Sequence, residues 1–156
     1  MLTLAPITSA NWRDACFLTT NPDHGITLDE EWLCCNAFSM LQAIYDPGWD
    51  CRLILNGNQP VGFAFFGLWE KKQAPLLCRY MIDVDQQSRG FGTCALPLIV
   101  QEMYHLYGRR DIYLTLSPDN VHAIRLYRSF GFLPTGEADD GEDIWVLPYS
   151  NKERQL

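Results

Sequence analysis

The segment 87–92, Gln-Ser-Arg-Gly-Phe-Gly, has the residue types and spacing of an anion-binding turn. It lies between a strand-like run, 76–84, and a helix-like run that begins at Thr93 and ends near Tyr107. The backbone N–H groups of such a turn gather at the positive end of the helix dipole, where they bind phosphate. Glycine at positions 90 and 92 lets the backbone approach the anion without a Cβ in the way. The segment therefore predicts a site for a phosphate-bearing ligand.

A dinucleotide-binding fingerprint also fits part of this segment. Gly90, Gly92 and Ala95 match the pattern G-x-G-x-x-G/A, and Asp111 lies about 20 residues farther on, where a ribose-binding acid is expected. Asp111, however, begins the next predicted strand instead of ending it, and too little chain follows it for a doubly wound nucleotide domain. The dinucleotide interpretation is therefore disfavoured. An ordinary tight turn without a ligand is the other alternative.

A second motif follows the strand predicted at 112–116. Pro118, Asp119 and Asn120 predict a turn and a helix N-cap, because the side chain of Asn120 can accept a bond from a first-turn N–H group. Apolar residues follow at helical spacing, and Gly131 ends the helix. The two motifs are thus separated by one strand and each opens a helix.

Together the two motifs resemble the GCN5-related N-acetyltransferase (GNAT) superfamily. The acyl-CoA signature of that family, Gln/Arg-x-x-Gly-x-Gly/Ala, is matched by Gln87, Gly90 and Gly92. Its later helix motif is matched by Asn120, Ala123, Leu126, Tyr127, Gly131 and Phe132. The resemblance covers about residues 76 to 148. It implies acetyl-CoA as co-substrate, and the residues it places near CoA are Ile82, Val84, Gln87, Arg89, Gly90, Phe91, Gly92, Thr93 and Asn120.

The elements that must position these motifs follow from periodicity and turn signals. Strands are predicted at 2–7, 51–55, 61–69, 76–84, 112–116, 132–135 and 144–148. Helices are predicted at 11–18, at 29–44 with an apolar face, at 93–107 and at 120–130. The apolar face of the second helix is assigned to Trp32, Cys35, Phe38, Met40, Leu41 and Ile44. This order predicts an α/β (α+β) fold with one mixed sheet and helices on its faces. The resemblance implies a mostly antiparallel sheet.

Bulk composition restricts the class of protein. At 156 residues, with 47% hydrophobic and 20% charged residues, the chain predicts a single globular domain over 1–156. No apolar run reaches the roughly 18 residues that span a bilayer, and the N-terminus lacks a leader pattern, so we expect a cytoplasmic protein with no membrane partner. The net charge of −7 argues against a nucleic-acid partner and is compatible with a cationic small substrate. The oligomeric state stays open, and a homodimer is compatible with the sequence.

The cysteines and histidines do not form a metal-binding pattern. None of the six cysteines belongs to a C-x-x-C pair, and the three histidines are scattered along the chain. We therefore predict reduced thiols and no metal site.

Acyl transfer to an amine needs a held thioester, an oxyanion stabiliser and a proton for the departing thiolate. Tyr127 matches the family tyrosine that protonates this thiolate, and without the resemblance it would be interpreted as an amphipathic core tyrosine. The resemblance implies that the backbone groups of Ile82 and Val84 contact the pantetheine arm and the thioester oxygen. Asn120 is assigned both a capping role and a contact with CoA, and the cap is its main role.

The general base is not determined by the sequence. Some polyamine acetyltransferases carry a glutamate where this chain has Tyr80. The alternatives are Asp83, Glu30 or Glu31, the acidic run 137–143, and proton loss through ordered water.

The acceptor is predicted from the acidic run. It holds five carboxylates around Asp140-Gly141, which by itself indicates a solvated hairpin turn. The run also resembles the terminal hairpin of bacterial diamine and spermidine/spermine acetyltransferases, which implies a polyamine acceptor. The predicted substrate-binding residues are Glu30, Glu137 and Glu142. Other acceptors (an amino acid, an aminoglycoside or a protein N-terminus) and a non-catalytic acyl-CoA sensor are the alternatives.

Overall fold

Helices and strands follow each other in the order that the sequence predicts. The computed structural model describes residues 1–23 and 36–149. Within these residues the helices are α1 Trp12–Phe17, α2 Asn36–Tyr45, α3 Phe91–Tyr107 and α4 Val121–Phe130. The strands are β1 Leu2–Pro6, β2 Trp49–Asn56, β3 Gln59–Trp69, β4 Ala74–Ile82, β5 Ile112–Leu116, β6 Leu133–Asp139 and β7 Glu142–Leu147. The predicted mixed α/β fold class is confirmed.

The strands form one sheet in the order β1-β2-β3-β4-β5-β7-β6. Neighbouring strands are antiparallel except for β4 and β5, which are parallel. The connection from β4 to β5 passes through α3, since a parallel pair needs a crossover. The hairpin predicted between the second and third strands is confirmed, with Gly57 in the left-handed region at φ 63°.

Each face of the sheet is covered by a different pair of helices. Ala64 and Phe66 of β3 belong to the core that contains residues of α3 and α4. Phe63 and Phe65 of the same strand belong to the core that contains Ala15 of α1 and residues of α2. This division follows from the alternation of side chains along a strand. No helix among the described residues is long and apolar enough to cross a membrane.

Helix α2 buries only part of the apolar face that was predicted. Met40 of that face is buried, whereas three other residues assigned to it are exposed, namely Phe38, Leu41 and Ile44. Ser39, which was not assigned to the face, is fully buried. The Asn36 side-chain amide donates to the carbonyl groups of Ala15 and Leu18, at 2.9 Å and 3.3 Å. The Ser39 hydroxyl accepts a bond from Arg79 of β4, and the Ser39 carbonyl accepts one from the Cys51 thiol of β2, so this part of α2 lies against the sheet. Trp32 and Cys35 lie outside the described residues.

Helix α3 begins earlier than predicted, at Phe91 instead of Thr93. Gly90 is its N-cap and adopts the left-handed conformation, with φ 78°. Phe91 and Gly92 therefore belong to the first helical turn, where backbone N–H groups have no intrahelical acceptor.

Candidate active site

Strands β4 and β5 separate soon after they meet. Only one residue pair links the two strands in the parallel register, namely Leu76 of β4 with Tyr113 of β5. Leu77 opposes Phe66 and Arg79 opposes Phe65, so the extra residue between them, Cys78, forms a β-bulge. No residue of β4 beyond Leu76 pairs with β5, so we interpret the edge of β4 up to Ile82 as open on that side, which we call the gap. A gap between two strands leaves backbone hydrogen-bonding groups free for a ligand.

Ile82 presents its backbone to this gap. The N–H group of the next residue, Asp83, donates to the Val61 carbonyl of β3 at 2.9 Å. Backbone groups alternate along an antiparallel strand, so the N–H and C=O groups of Ile82 point away from β3 and towards the gap. The Ile82 carbonyl accepts a bond from the Gln87 side-chain amide at 3.0 Å. Because the Ile82 carbonyl is already bonded, the Ile82 N–H group is the backbone group of this residue that a ligand could bind.

Val84 does not continue the strand, contrary to the sequence prediction. Strand β4 ends at Ile82, and Val84–Gln86 form a 3-10 turn. The Asp83 carboxylate caps this turn by accepting a bond from the Asp85 N–H group. Aspartate side chains often bond to nearby backbone groups in this way, which competes with the pairing of strands. The Val84 N–H group donates to the Thr19 carbonyl at 2.7 Å. A contact between this N–H group and a ligand would therefore require the bond to Thr19 to break.

The glycine segment forms the N-terminal end of α3 beside the gap. The first bond of the helix joins the Cys94 N–H group to the Gly90 carbonyl at 3.1 Å. The N–H groups of Phe91, Gly92 and Thr93 precede it and lie at the positive end of the helix dipole. Arg89 is exposed and donates to the side chain of Gln86 at 3.0 Å. This geometry suits an anion such as a pyrophosphate.

Gly92 lies where β4, α3 and α4 meet. A Cβ atom built on it would lie 3.8 Å from Ile82 Cγ1, 3.9 Å from the Tyr80 hydroxyl oxygen and 4.0 Å from Leu126 Cδ2. These are ordinary contact distances, so alanine would fit here, as the signature Gly/Ala allows. Gly90 differs, because its left-handed φ of 78° strains any residue with a Cβ.

Tyr127 approaches the same junction from α4. It is 8% exposed, and its ring packs edge-on against Phe132 with the ring centroids 5.4 Å apart. Burial raises the pKa of the Tyr127 phenol above its ordinary value, so the hydroxyl stays protonated. Tyr127 and Cys94 also lie close enough to Tyr80 to add to the effect of burial, which raises the pKa of the Tyr80 phenol. The phenols of β4 and α4 are thus neighbours.

Helix α4 is held by the caps that the sequence predicts. The Asn120 side-chain oxygen accepts from the Ala123 N–H group at 3.1 Å. Gly131 ends the helix at φ 118°, and its N–H group donates to the carbonyls of Tyr127 and Arg128. Both caps are confirmed, and they fix the turn of α4 that carries Tyr127.

The acidic hairpin β6–β7 is partly neutralised by the turn between β3 and β4. Lys72 Nζ lies 2.7 Å from a Glu137 carboxylate oxygen, and Lys71 Nζ lies 2.6 Å from an Asp139 oxygen. Glu142 has no ion pair among the described residues. Burial raises the pKa of the Cys78 thiol, Arg79 lowers it, and Glu142 raises it further. Glu142 therefore lies within electrostatic range of the bulge where β4 leaves β5.

The remaining acidic candidates differ in what the structure shows. Asp83 is buried, and its carboxylate accepts from the N–H groups of Thr19 and Asp85, both at 3.1 Å. It is committed to these structural bonds. Glu30 and Glu31 lie outside the described residues. Within residues 1–23 and 36–149, no three His, Cys, Asp or Glu side chains form a group that could hold a metal ion.

Comparison with known proteins supports the family resemblance that the two motifs indicate. Residues 9–132 match the acetyltransferase (GNAT) family. The chain belongs to this family. A spermine/spermidine N(1)-acetyltransferase of Bacillus subtilis (strain 168) is 40% identical over 93 residues, which are 55% of this chain and 61% of that protein. A probable spermine N(1)-acetyltransferase of Bacillus subtilis subsp. natto (strain BEST195) has the same identity and coverage.

The solved structures show the same fold. An aminoglycoside acetyltransferase in complex with coenzyme A aligns with a TM-score of 0.76 at 19% identity, covering 99% of both chains. At this identity the likeness concerns the GNAT fold alone. The match to the two curated relatives spans less than two thirds of their length.

One residue of this GNAT site was missed by sequence reasoning. The sequence by itself indicates only that Tyr80 stands where some polyamine acetyltransferases carry a glutamate. In the structure its hydroxyl donates to the Gly92 carbonyl at 2.6 Å, within the first turn of α3. Tyr80 lies two residues before Ile82, so strand alternation places both side chains on the same face of the sheet, which α3 covers. This spacing was the signal in the sequence that Tyr80 lies beside the candidate site.

Proposed function

We propose that this GNAT chain transfers an acetyl group from acetyl-CoA to a primary amine of a polyamine or diamine, with Tyr127 as general acid. The observation that carries the proposal is the gap between β4 and β5. The Ile82 N–H group points away from β3 on this side of β4, and the N-terminal turn of α3 follows β4 in the chain. Tyr127 is buried in the core beneath α3 and α4, and it interacts electrostatically with Tyr80 of β4. In the proposed mechanism these groups would act as a thioester contact, an anion site and a proton donor, respectively.

Acetyl-CoA would occupy the gap with its pyrophosphate against the N–H groups of residues 91–93. The pantetheine arm would then run along β4, as an added strand does, and the acetyl oxygen would accept a bond from the Ile82 N–H group. The residues proposed to lie along this path are Ile82, Gln87, Arg89, Gly90, Phe91, Gly92, Thr93 and Asn120. Val84 would contribute through the turn that it begins, since its N–H group is already bonded to Thr19.

The proposed reaction is a direct transfer. The neutral amine nitrogen attacks the thioester carbon, the new C–N bond forms, and negative charge collects on the acetyl oxygen. The C–S bond then breaks, and the Tyr127 hydroxyl gives its proton to the departing sulfur. The acetylated nitrogen loses a proton, which returns the phenol to its neutral form. A phenol whose pKa is raised by burial is a strong base once ionised, so this return is favoured.

The polyamine acceptor is supported by charge and by the relatives. The chain carries a net charge of −7, and the two curated relatives are named for spermine or spermidine. Glu142, which has no ion pair among the described residues and lies near the bulge of β4, is the proposed contact for a distal ammonium group. Glu137 is a weaker candidate, because Lys72 already neutralises it. A solvated acidic hairpin without a substrate role is the alternative for these residues.

The proposal is tested by thiol release from acetyl-CoA with a panel of amines. The panel contains spermine, spermidine, a diamine, a monoamine, an amino acid, an aminoglycoside and a short peptide with a free N-terminus. We expect kcat/KM to rise with the number of amines and to fall at high salt. Equal rates with monoamines, or a faster aminoglycoside, would overturn the polyamine acceptor but leave the acetyltransferase. Tight CoA binding with no thiol release from any amine would favour the sensor alternative.

A further inference from the structure

Helix α3 has a weak point next to its ligand-binding end. Pro97 lies inside the helix, one turn after Thr93. Proline has no N–H group, so the Thr93 carbonyl lacks the helical bond it would otherwise accept, and the proline ring pushes against that carbonyl. The turn that presents the N–H groups of residues 91–93 is thus joined to the rest of α3 by fewer bonds than a regular first turn.

Tyr80 supplies a bond to the turn that precedes this weak point. Its hydroxyl donates to the Gly92 carbonyl at 2.6 Å, linking β4 to the first turn of α3. The Tyr80 ring packs in the core beneath α3, and β4 is paired along its other edge with β3. The bond therefore fixes the first turn to the sheet and not to another part of the helix. Its location, before Pro97, is where the helix itself provides least support.

We propose that Tyr80 is a positioning residue that holds the anion-binding turn of α3 in place through the Gly92 carbonyl. This inference rests on the proposed function, since it assumes that the turn binds the pyrophosphate of CoA. Tyr80 acts through the backbone of the turn, so it does not need to touch the ligand. It differs in this from its neighbour Tyr127, whose role is proposed to be chemical.

The test uses two measurements on the full-length Tyr80→Phe variant, which keeps the ring and removes only the hydroxyl. Amide hydrogen exchange is followed in the unliganded protein at Cys94, Ala95 and Leu96, and the Kd of CoA is measured by calorimetry. Loss of one hydrogen bond corresponds to a change of about 3- to 10-fold. We expect exchange at these amides to accelerate and the Kd of CoA to rise, each by about that factor, with the melting temperature little changed.

Tyr107→Phe is the matched control. Tyr107 lies at the other end of α3, and its hydroxyl donates to the Phe66 carbonyl at 3.5 Å. Removal of this hydroxyl should leave the Kd of CoA and the exchange of Cys94–Leu96 unchanged. Unchanged exchange and affinity in Tyr80→Phe would overturn the proposal, as would acceleration spread over the whole chain with a large fall in melting temperature. Failure of the wild-type protein to bind CoA would instead contradict the proposed function, and the exchange measurement would still decide the role of Tyr80.

Discussion

The N-terminal turn of α3 and the acidic hairpin β6–β7 both present groups that suit a charged ligand, but by different physical means. The turn presents backbone N–H groups of consecutive residues, whose direction is set by the helix. The hairpin presents carboxylates on side chains, and two of them, Glu137 and Asp139, already bind Lys72 and Lys71. The first site needs little reorganisation before a ligand binds. In the second site, part of the negative charge is already neutralised by the lysines of the protein.

This difference sets the size of the effects that substitutions should have. Groups fixed by the backbone lose no side-chain freedom on binding, so a distortion of the backbone removes several contacts together. Exposed ion pairs contribute about 0–1 kcal/mol each and are weakened by salt. We therefore expect changes at the turn to act on CoA binding strongly, and changes at the hairpin to act on the acceptor mildly.

The largest effect is expected for Gly90→Val. Valine disfavours the left-handed conformation that Gly90 adopts at φ 78°, so the turn should shift and its N–H groups should no longer converge on the pyrophosphate. CoA binding should become undetectable by calorimetry, while the far-ultraviolet circular dichroism of the folded protein should persist.

Gly57→Val provides the matched control for this prediction. Gly57 also adopts the left-handed conformation, at φ 63°, and a Cβ at either glycine would meet no atom within 4 Å. Both variants should therefore lose stability by a similar amount, about 1–2 kcal/mol. Only Gly90→Val should lose CoA. Equal CoA affinity in the two variants would remove the turn from the proposed binding site.

The next effect concerns chemistry instead of binding. Tyr127→Phe should lower the single-turnover rate of acetyl transfer by roughly 10²–10⁴-fold, because only the proton donor is removed, and should leave the Kd of CoA unchanged. Burial raises the pKa of this phenol, so the wild-type rate should not fall from loss of its proton as pH rises to about 10, the ordinary tyrosine value. Rapid-quench measurements from pH 7 to 10 check both points. An unchanged transfer rate in Tyr127→Phe would make Tyr127 a core tyrosine only.

Sequence predicts the parts of the fold and of the candidate site that depend on local contacts. The caps Asn120 and Gly131 and the glycine turn were predicted because their bonds join residues a few positions apart, which spacing reveals. The predicted end of β4 at residue 84 is wrong, because the strand ends at Ile82 and the Val84 N–H group bonds to Thr19, a residue far away in the sequence.

Tertiary contacts of this kind explain the other differences. The pairing of Glu137 with Lys72 joins residues 65 positions apart, and no local pattern in the acidic run indicates it. The buried face of α2 depends on bonds from Asn36 to the Ala15 and Leu18 carbonyls and from Arg79 to Ser39, all of which join residues far apart in the sequence. Apolar residues occur on several sides of this helix, so its sequence does not reveal which side is buried. The bond from Tyr80 to Gly92 is predictable only in part. Strand alternation predicts the face of the sheet on which Tyr80 lies, but it does not predict the hydrogen-bond partner of the hydroxyl.

The smallest effect is expected at the hairpin, and it separates two glutamates of the same charge. Glu142→Gln should lower kcat/KM for spermidine by up to about 5-fold, the value of one exposed ion pair, because Glu142 has no basic partner among the described residues. Glu137→Gln should change kcat/KM less, since Lys72 already occupies the carboxylate at 2.7 Å. Steady-state kinetics at low and high salt measure both variants against wild type.

A third variant, Lys72→Met, completes a double-mutant cycle between Lys72 and Glu137. Lys72→Met should release Glu137 and raise kcat/KM for spermidine slightly at low salt, whereas the double variant Lys72→Met/Glu137→Gln should lose that gain. Coupling between the two positions would then be measured directly, since contacting charges do not act additively. Equal losses in Glu137→Gln and Glu142→Gln would mean that the ion pair with Lys72 opens in the complex. If neither glutamate variant changes kcat/KM for spermidine, the hairpin is only a solvated turn, and the ammonium groups bind elsewhere.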